Sequence, residues 1–496
     1  MKKPGLQLTL QTSNLVIGFM AWVLISSLMP FIREDITLTA GQASLVTAIP
    51  VILGSLLRIP IGFYTDKLGA RKICLISLSL LILNVFYSSI ATTFFVVVFG
   101  GLILGVGGAV FSVGVTSLPK YYPKERHGFI NGIYGVGNIG TAITSFGGPL
   151  IAEAYGWENA VRAFILLLIL FIVLTLFFGD RNEKLSDSSM IDQIKGVYKN
   201  ATLWFLSLFY FITFGAFVAF TMFLPSFLVD NYGLTPVDAG MRTAGFIAIA
   251  TFIRPVGGFL ADKFNAFVIL MFVFLGIAFS GILLSFSPNL LWYTIGSLAV
   301  AITAGIGNGT VFKLVPLYFS KQAGIVNGIV SAMGGLGGFF PPLLLTAVSN
   351  MTGHHAIAFM LLSELALVSF VIVVFMFYSE QVNLERQIIL STAEGIMITN
   401  RDKVIQDVNP AFTRITGYTK EEAVGHKPSL LQSGKHGKDF YDQMWNEIEE
   451  NGFWEGEIEN KRKTGEIYKE LLTISPIKNS MGKVKYYVGV FNDLTQ

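Results

Sequence analysis

The chain has a single cysteine, Cys74, and only five histidines among its 496 residues. One cysteine excludes an intrachain disulfide and any metal cluster held by several thiolates. Charged residues are also scarce over most of the length, because the last 113 residues hold 15 of the 35 Lys and Arg and 17 of the 32 Asp and Glu. This uneven distribution predicts an apolar body followed by a charged, soluble C-terminal domain.

The body is strongly apolar, and hydrophobic residues make up 53% of the whole chain. Such a composition is typical of proteins that lie in a lipid bilayer. Twelve apolar segments are long enough to span one. Their approximate bounds are 13–32, 42–65, 73–91, 93–117, 128–152, 160–179, 201–229, 237–261, 265–287, 290–316, 324–349 and 355–379. The sequence therefore predicts an all-α membrane protein.

Basic residues lie mostly on one side of these spans. Lys and Arg are concentrated at the N-terminus and in the loops after even-numbered spans, whereas the opposite loops have Arg33, Arg162 and Arg242. The positive-inside rule then predicts a multi-pass protein of the cell (inner) membrane, with both termini in the cytoplasm. These loops also explain the net charge of +3, so we expect no nucleic-acid partner.

Two arginines, Arg58 and Arg254, lie inside apolar spans and are 196 residues apart. A cation at that depth costs roughly 2.5–3.5 kcal/mol on insertion scales. Each arginine is followed eight residues later by an aspartate, Asp66 or Asp262, at the end of its span. The two matched settings predict a buried anion held between the arginines.

The match between the arginines extends along the chain as an internal duplication. Gly128, Asn131 and Gly132 recur at the same separation as Gly324, Asn327 and Gly328. The repeat unit is six spans in one orientation, so residues 1–180 and 201–380 form two halves, joined by a polar central loop at 181–200. Two parallel six-helix halves with a site near mid-membrane are the plan of a secondary transporter.

A loop motif lies between the second and third spans. It reads G-x-x-x-D-K-x-G-x-R-K and consists of Gly62, Asp66, Lys67, Gly69, Arg71 and Lys72. This resembles the signature of the major facilitator superfamily, which implies a 12-helix fold of two six-helix halves. An aspartate here can cap a neighbouring helix and pair with a basic residue, so we expect a gate on the cytoplasmic side. The second half keeps fewer of these residues, and we expect a weaker latch there.

Glycine-rich stretches in the fifth and eleventh spans make the resemblance more specific. The fifth span contains GVGNIG around Asn138, and the eleventh contains GGLGG. Together with Arg58 and Arg254, they resemble the nitrate/nitrite porter family (NarK type) over residues 10–380. The resemblance implies two anion-binding arginines with Asn138 as a nearby donor. It also implies three aromatic residues at the site, Tyr210, Phe111 and Phe214.

A guanidinium group offers paired N–H donors that match the edge of a small planar oxyanion. Two facing cations repel when no anion is bound, so we expect alternating access with nitrate/nitrite antiport. Proton–nitrate symport stays an alternative, although Glu364 in the last span is expected to be structural. Lys313 is a candidate for gating. Transport of organic anions and anion sensing without net transport are further alternatives. Neither enzymatic activity nor a cofactor or metal for transport is expected.

The C-terminal part begins with a predicted linker helix at 381–390. Residues 391–496 are then predicted to form two strands, short helices and three strands. GIMITN, NPAFTRITGY, GFWEGE and GVFNDLT within this pattern resemble a PAS sensor domain. The resemblance implies a bound small ligand, with flavin or haem as possibilities, or a PAS-mediated dimer or signalling partner. This domain has no cysteine, which excludes a flavin–cysteinyl adduct, and we expect His426 and His436 to face solvent.

Overall fold

The computed structural model describes residues 3–183, 185–186, 189–286, 288–352, 356–479 and 482–495. Within these ranges only the backbone is described at 30, 34, 40–41, 43–44, 47–48, 225–226, 230, 236–237, 340–352 and 356–358. The chain divides into two compact units, Met1–Met376 and Phe377–Gln496.

The first half of the membrane body is helical. Its helices are α1 (Pro4–Trp22), α2 (Leu24–Asp35), α3 (Ala40–Leu56), α4 (Arg58–Leu68), α5 (Ala70–Ser88), α6 (Phe94–Ala109), α7 (Phe111–Ser117), α8 (His127–Gly135), α9 (Ile139–Tyr155) and α10 (Trp157–Phe178). Short 3-10 turns lie at Leu118–Tyr121, Lys124–Arg126 and Val136–Asn138. Several predicted spans are therefore formed by two helices in succession.

The second half follows a polar connection that contains α11 (Met190–Val197). Its helices are α12 (Ala201–Tyr232), α13 (Pro236–Phe252), α14 (Arg254–Lys263), α15 (Ala266–Ser285), α16 (Leu290–Tyr318), α17 (Ala323–Thr352) and α18 (Ala356–Ser391). Among the described residues, ten helical segments are long and apolar enough to cross a membrane. The other two predicted spans are the α8–α9 passage, which is broken at Val136–Asn138, and α17.

The two arginine-bearing spans are interrupted at the same place. Both α4 and α14 begin at the arginine, Arg58 and Arg254, and a single residue separates each of them from the end of the preceding helix. A proline follows each interruption, at Pro60 and Pro255. Because proline has no N–H to offer the carbonyl four residues earlier and its ring crowds that carbonyl, it disrupts a helix at this position. Each arginine therefore lies in the first turn of a new helix.

Hydrogen bonds between the halves follow the same internal symmetry. On α8, Asn131 Nδ2 donates to the carbonyl of Phe312 on α16 at 3.1 Å. On α17, Asn327 Nδ2 donates to the carbonyl of Val115 on α7 at 3.0 Å. The donors are 196 residues apart and the acceptors 197 residues apart. The duplication in the sequence is therefore a duplication of contacts in the structure.

Glycines allow the helices of opposite halves to approach closely near Asp66 and Asp262. A Cβ placed at Gly62 on α4 would lie 2.5 Å from the carbonyl oxygen of Gly324 on α17. A Cβ placed at Gly258 on α14 would lie 2.0 Å from the carbonyl oxygen of Gly128 on α8. Neither distance is possible for a real side chain, so both positions require glycine for this packing.

The C-terminal unit is a five-stranded antiparallel sheet with order β2-β1-β5-β4-β3. Its strands are β1 (Gly395–Asn400), β2 (Ile405–Val408), β3 (Trp454–Lys461), β4 (Ile467–Lys478) and β5 (Val484–Asp493). Between β2 and β3 lie α19 (Pro410–Thr416), α20 (Lys420–Ala423), a 3-10 turn (Pro428–Leu431) and α21 (Lys438–Asn451). The predicted order of two strands, short helices and three strands is confirmed. Phe412, Ile448 and Phe491 are among the buried residues of its core.

Candidate functional site: two buried arginines between the halves

Arg58 and Arg254 are both buried in the membrane body, with 0% and 1% of their surface exposed. Arg58 Nε donates to the carbonyl of Gly108 at 3.1 Å, and its Nη1 donates to the carbonyl of Ser331 at 2.7 Å. Arg254 Nη2 donates to the hydroxyl of Tyr210 at 3.2 Å. Since Gly108 and Ser331 belong to different halves, the Arg58 side chain is held by both.

Part of each guanidinium group has no partner. The unpartnered nitrogens are Nη2 of Arg58 and both Nε and Nη1 of Arg254. None of the ion pairs formed by the described part of the membrane body includes either arginine. A buried cation without a counter-charge or a full set of hydrogen bonds is strongly unfavourable. The arrangement therefore suits an anion that accepts hydrogen bonds from both side chains.

Phe111 and Phe214 lie close to both guanidinium groups. The Arg58 Cζ is 5.4 Å from the Phe111 ring centroid and 5.2 Å from that of Phe214. For the Arg254 Cζ the two distances are 5.5 and 5.8 Å. Tyr210 stacks on Phe214 with centroids 5.0 Å apart. Aromatic faces attract cations and exclude water, so these rings partly compensate the two charges while keeping the site dry.

Asn138 lies in the 3-10 turn between α8 and α9 and is 1% exposed, with its Oδ1 unpartnered. Three residues earlier, a Cβ at Gly135 would lie 2.5 Å from Arg254 Nε. The absence of a side chain at Gly135 thus lets the guanidinium lie against the backbone of α8. Asn138 lies one turn further along, and within the described residues it forms no hydrogen bond to either arginine.

The sequence did not single out three further buried residues of the membrane body, Phe312, Ser331 and Asn308. Phe312 packs edge-on against Tyr210 at 4.7 Å between ring centroids. Ser331 accepts from Arg58 through its carbonyl, and its hydroxyl lies 3.0 Å from that of Ser112. Asn308, one helical turn before Phe312 on α16, is 1% exposed and has both amide atoms unpartnered. A polar amide inside an apolar helix is a signal that could have indicated Asn308.

The predicted gate motif lies at the turn between α4 and α5. Asp66 pairs with Lys120 Nζ at 2.9 Å, and the same Nζ lies 3.2 Å from Glu183 of the polar connection. Glu183 Oε2 accepts from the N–H of Ala70 at the start of α5 at 2.8 Å. Gly69 makes the turn with a φ of 86°, which favours glycine. The cluster therefore joins α4, α5 and the 3-10 turn of Lys120 to the connection between the halves.

The other motif residues surround this cluster. Gly62 allows the close approach of α4 to α17 described above. Arg71 Nη2 donates to the carbonyl of Leu176 at the end of α10, at 3.0 Å. Lys67 Nζ lies 5.9 Å from the centroid of the Phe63 ring, and Lys72 is exposed.

The counterpart Asp262 bonds directly across the halves. Its carboxylate oxygens accept from the N–H groups of Gly128 at 3.0 Å and Phe129 at 2.7 Å, at the start of α8. It also pairs with Lys313 Nζ at 2.7 Å, and that Nζ donates to the carbonyl of Lys124 at 2.6 Å. A helix N-terminus favours an anion, so the contact is well placed. The latch expected to be weaker thus has the more direct bonds between halves.

In the C-terminal unit neither histidine is placed to hold haem iron in the sheet cavity. His436 Nε2 accepts from the N–H of Glu459 at 3.0 Å, and its ring stacks on Phe440 at 4.3 Å between centroids. His426 is exposed. Neither residue lines the cavity between the sheet and α21. Among the described residues of the whole chain, no group of three or more His, Cys, Asp or Glu could hold a metal.

Comparisons with known proteins agree with this architecture. Residues 12–342 match the family model of the Major Facilitator Superfamily, and residues 393–496 match that of the PAS domain. Over 376 residues the chain is 63% identical to the "Nitrite extrusion protein" of Bacillus subtilis (strain 168), covering 76% of this chain and 95% of that one. Over 371 residues it is 52% identical to the "Probable nitrate transporter NarT" of Staphylococcus epidermidis, and the match covers 75% of this chain and 96% of that protein.

Solved structures show the same fold for the membrane body. The human organic anion transporter MFSD10 superposes with a TM-score of 0.65 at 15% identity, covering 75% of this chain and all of that one. The E. coli fucose:proton symporter FucP superposes with a TM-score of 0.61 at 17% identity, covering 74% and 98%. The chain is therefore a multi-pass membrane transporter that belongs to the major facilitator superfamily and carries a C-terminal PAS domain.

Proposed function

We propose that the membrane body transports nitrate and nitrite by alternating access and exchanges one anion for the other. The observation that carries this proposal is the pair of buried guanidinium groups, Arg58 and Arg254, with unpartnered N–H groups and no carboxylate partner among the described residues. The names of the relatives, a nitrite extrusion protein and nitrate transporters, support the choice of anion.

The chemistry of the site favours a small, flat, singly charged anion. A nitrate or nitrite edge presents two oxygens to the paired donors of a guanidinium group. The phenylalanine rings beside both arginines keep water out, which strengthens each charged hydrogen bond.

The charge of the site supports exchange rather than one-way movement. Two arginines and one monovalent anion leave a net charge of +1, whereas the site without an anion has two like charges in a dry environment. Their repulsion opposes closure of the halves around an empty site. A carrier of this kind changes its orientation readily only with an anion bound, so each inward step is paired with an outward one.

The surroundings of the arginines favour antiport over proton symport. The nearest aspartates on their helices, Asp66 and Asp262, are already paired with Lys120 and Lys313. Glu364 on α18 is exposed on the outside of the described helices. A proton-coupled mechanism needs a titratable group that responds to the bound anion, and the described hydrogen bonds of the two arginines include no carboxylate or histidine.

The distribution of basic residues supports a cell (inner) membrane orientation with both termini in the cytoplasm. The PAS domain would then sense a cytoplasmic signal and regulate transport, and a PAS-mediated dimer or a signalling partner is part of this proposal. We propose no catalytic activity for the chain and no cofactor for transport.

Counterflow in proteoliposomes tests the proposal. Purified protein is reconstituted with nitrite, chloride or no permeant anion inside, and uptake of labelled nitrate is followed at several external pH values. Nitrite-loaded vesicles should take up nitrate many times faster than chloride-loaded ones, with little dependence on an imposed proton gradient. Equal uptake into chloride-loaded vesicles, driven by a proton gradient, would instead establish symport.

The same assay separates transport from sensing. The presence of a PAS domain favours, as a second candidate, a membrane body that binds the anion and signals without net transport. That candidate predicts saturable nitrate binding to the detergent-solubilised protein together with no flux under any loading condition.

A further inference from the structure

A buried pair of serines lies beside Arg58 at the boundary between the halves. Ser112 on α7 and Ser331 on α17 are both 0% exposed, and their hydroxyl oxygens lie 3.0 Å apart. Ser331 Oγ also donates to the carbonyl of Gly328 on its own helix at 3.1 Å. Since each hydroxyl has a single proton, Ser112 is the donor in the bond between the serines. That bond joins the two halves through buried side chains.

The same turn of α17 also holds Arg58. Arg58 Nη1 donates to the carbonyl of Ser331 at 2.7 Å. A Cβ placed at Gly335, one turn further along α17, would lie 3.5 Å from the same nitrogen. Because the bond from Ser112 restrains Ser331, it also restrains the carbonyl that receives Arg58. The serine pair is therefore placed to set the orientation of this guanidinium group.

The internal duplication does not repeat the serine pair. At the 196-residue separation of the two arginines, Ser331 corresponds to Gly135 and Ser112 corresponds to Asn308. Gly135 has no side chain, and both amide atoms of Asn308 are unpartnered. The second half thus has no equivalent of the bond between the hydroxyl groups.

The two arginines consequently depend on the halves in different ways. Within the described residues, the hydrogen bond of Arg254 goes to Tyr210 in its own half. Arg58 bonds both to Gly108 in its own half and to Ser331 in the other. Separation of the halves would take a hydrogen bond away from Arg58 and leave that of Arg254 in place.

We propose that Ser112 and Ser331 are positioning residues for Arg58, and that their hydrogen bond forms as the halves close around the anion and breaks as they part. This inference rests on the proposed alternating access. The bound anion offsets the repulsion between the arginines and so permits closure. In the closed arrangement the Ser331 carbonyl holds Arg58 Nη1, while Nη2 keeps its N–H groups for the anion. Closure and the orientation of Arg58 then occur in one step.

Cysteine cross-linking of the full chain in proteoliposomes tests this inference. The single native cysteine is removed by Cys74→Ala, and Ser112→Cys is combined with Ser331→Cys. Oxidation by iodine, which enters the bilayer, should form the disulfide several times faster with nitrate than with chloride on both sides, because nitrate favours closure. The cross-linked carrier should lose exchange and regain it after reduction.

A second pair of serines gives the matched control. Ser27 on α2 and Ser145 on α9 have hydroxyl oxygens 3.4 Å apart, and both belong to the first half. Ser27→Cys combined with Ser145→Cys should cross-link at a rate that does not depend on nitrate. Equal rates with nitrate and chloride for the pair at 112 and 331, including no reaction with either, would overturn the inference. Normal exchange after complete cross-linking would do so too.

Alanine variants test the same bond without an oxidant. Ser112→Ala and Ser331→Ala each take away one partner of a buried hydrogen bond, so exchange should slow about fivefold or more. The double variant should be no slower than the slower single variant, because both changes remove the same bond. Ser280→Ala is the control, since its hydroxyl donates to Gly276 within one helix, and it should exchange normally. Independent, multiplied effects in the double variant would contradict the proposed pairing.

Wild-type counterflow separates this inference from the proposed function. Equal nitrate uptake by nitrite-loaded and chloride-loaded vesicles would contradict exchange itself. Normal wild-type exchange together with nitrate-independent cross-linking would leave exchange intact and overturn only the role of the serine pair.

Discussion

Arg58 and Arg254 approach the same two phenylalanine rings from opposite halves of the membrane body. Each Cζ lies between 5.2 and 5.8 Å from the centroids of Phe111 and Phe214. The two guanidinium groups therefore have aromatic neighbours in common, and a change at either arginine should affect the surroundings of the other.

Replacement of either arginine should abolish exchange. Loss of one partner from a buried, charged hydrogen bond costs about 2–5 kcal/mol, which lowers anion affinity about 30-fold or more. Arg58→Lys and Arg254→Lys should restore little, because an ammonium group lacks the paired planar donors. Labelled nitrate uptake into nitrite-loaded vesicles measures the loss.

Arg242→Ala is the matched control for those variants. Arg242 lies in the same half as Arg254, but its side chain is 37% exposed and pairs with Asp238 four residues away. Near-normal uptake is expected for this variant. Normal exchange by both Arg58→Ala and Arg254→Ala would contradict the assignment of the site.

Asp262 should contribute more than Asp66 to holding the halves together. Asp262→Ala removes the acceptor of the Gly128 and Phe129 N–H groups. A hydrogen bond to a charged group contributes about 1.5–3 kcal/mol, so hydrogen exchange at the start of α8 should accelerate roughly tenfold or more. Mass spectrometry of peptides from His127–Gly135 measures this in nanodiscs.

The comparison variant is Asp66→Ala. The native Asp66 carboxylate pairs with Lys120 and not with the start of α8. It should leave exchange at α8 unchanged while increasing exchange around Ala70. Equal acceleration at α8 in both variants would show that the two aspartates act through a common opening of the halves.

The close helix contacts should not tolerate a methyl group. Overpacking of this kind costs about 1–3 kcal/mol, so Gly62→Ala and Gly258→Ala should lower the thermal midpoint and slow exchange. Gly147→Ala on α9 is the control, because a Cβ there meets nothing within 4 Å. Identical thermal midpoints for all three variants would argue against this packing.

The stability of the PAS domain should depend on pH through Glu470. Burial raises the pKa of Glu470 in the folded domain to about 7, above the ordinary value of 4.5. Between pH 4.5 and 7 the folded domain therefore holds a proton on this carboxyl that the unfolded chain has lost. The free energy of unfolding should therefore fall as pH rises from about 4.5 to 7, by roughly 3 kcal/mol at most, and then level off. Hydrogen exchange of β4 peptides, corrected for the intrinsic pH dependence, measures the slope.

Glu470→Gln should remove this part of the slope, because an amide does not titrate. The exposed Glu457→Gln should keep it. A slope that is unchanged in the Glu470 variant would assign the titration to another group.

Much of the fold was accessible from the sequence because each part has a local signature. Apolar length predicts the spans, and alternation and turn residues predict the strands of the PAS domain. The two arginines stand out because a cation inside an apolar helix is rare. Contacts between helices are different. The contact of Phe312 with Tyr210 and the burial of Asn308 depend on the rotation of α16, which one sequence does not specify.

The contacts of Asp66 and Asp262 also show the difference between what a sequence pattern predicts and what the folded molecule brings together. The motif around Asp66 is visible as a pattern, but its carboxylate pairs with Lys120 far along the chain. Asp262 has fewer motif neighbours, yet Lys313 and the start of α8 converge on it in the folded molecule. The number of motif residues therefore does not indicate which aspartate bonds directly to the other half.

The paired bonds from Asn131 and Asn327 have a consequence for how the carrier moves. Each crosses the boundary between the halves, and the two are related by the pseudo-twofold of the duplication. A rigid rotation of one half against the other changes both distances in a single motion. In the alternating access that we propose, the rocking step should then be all-or-none. Weakening either amide alone should alter how often the whole molecule switches, without producing a carrier that is loosened on one side only.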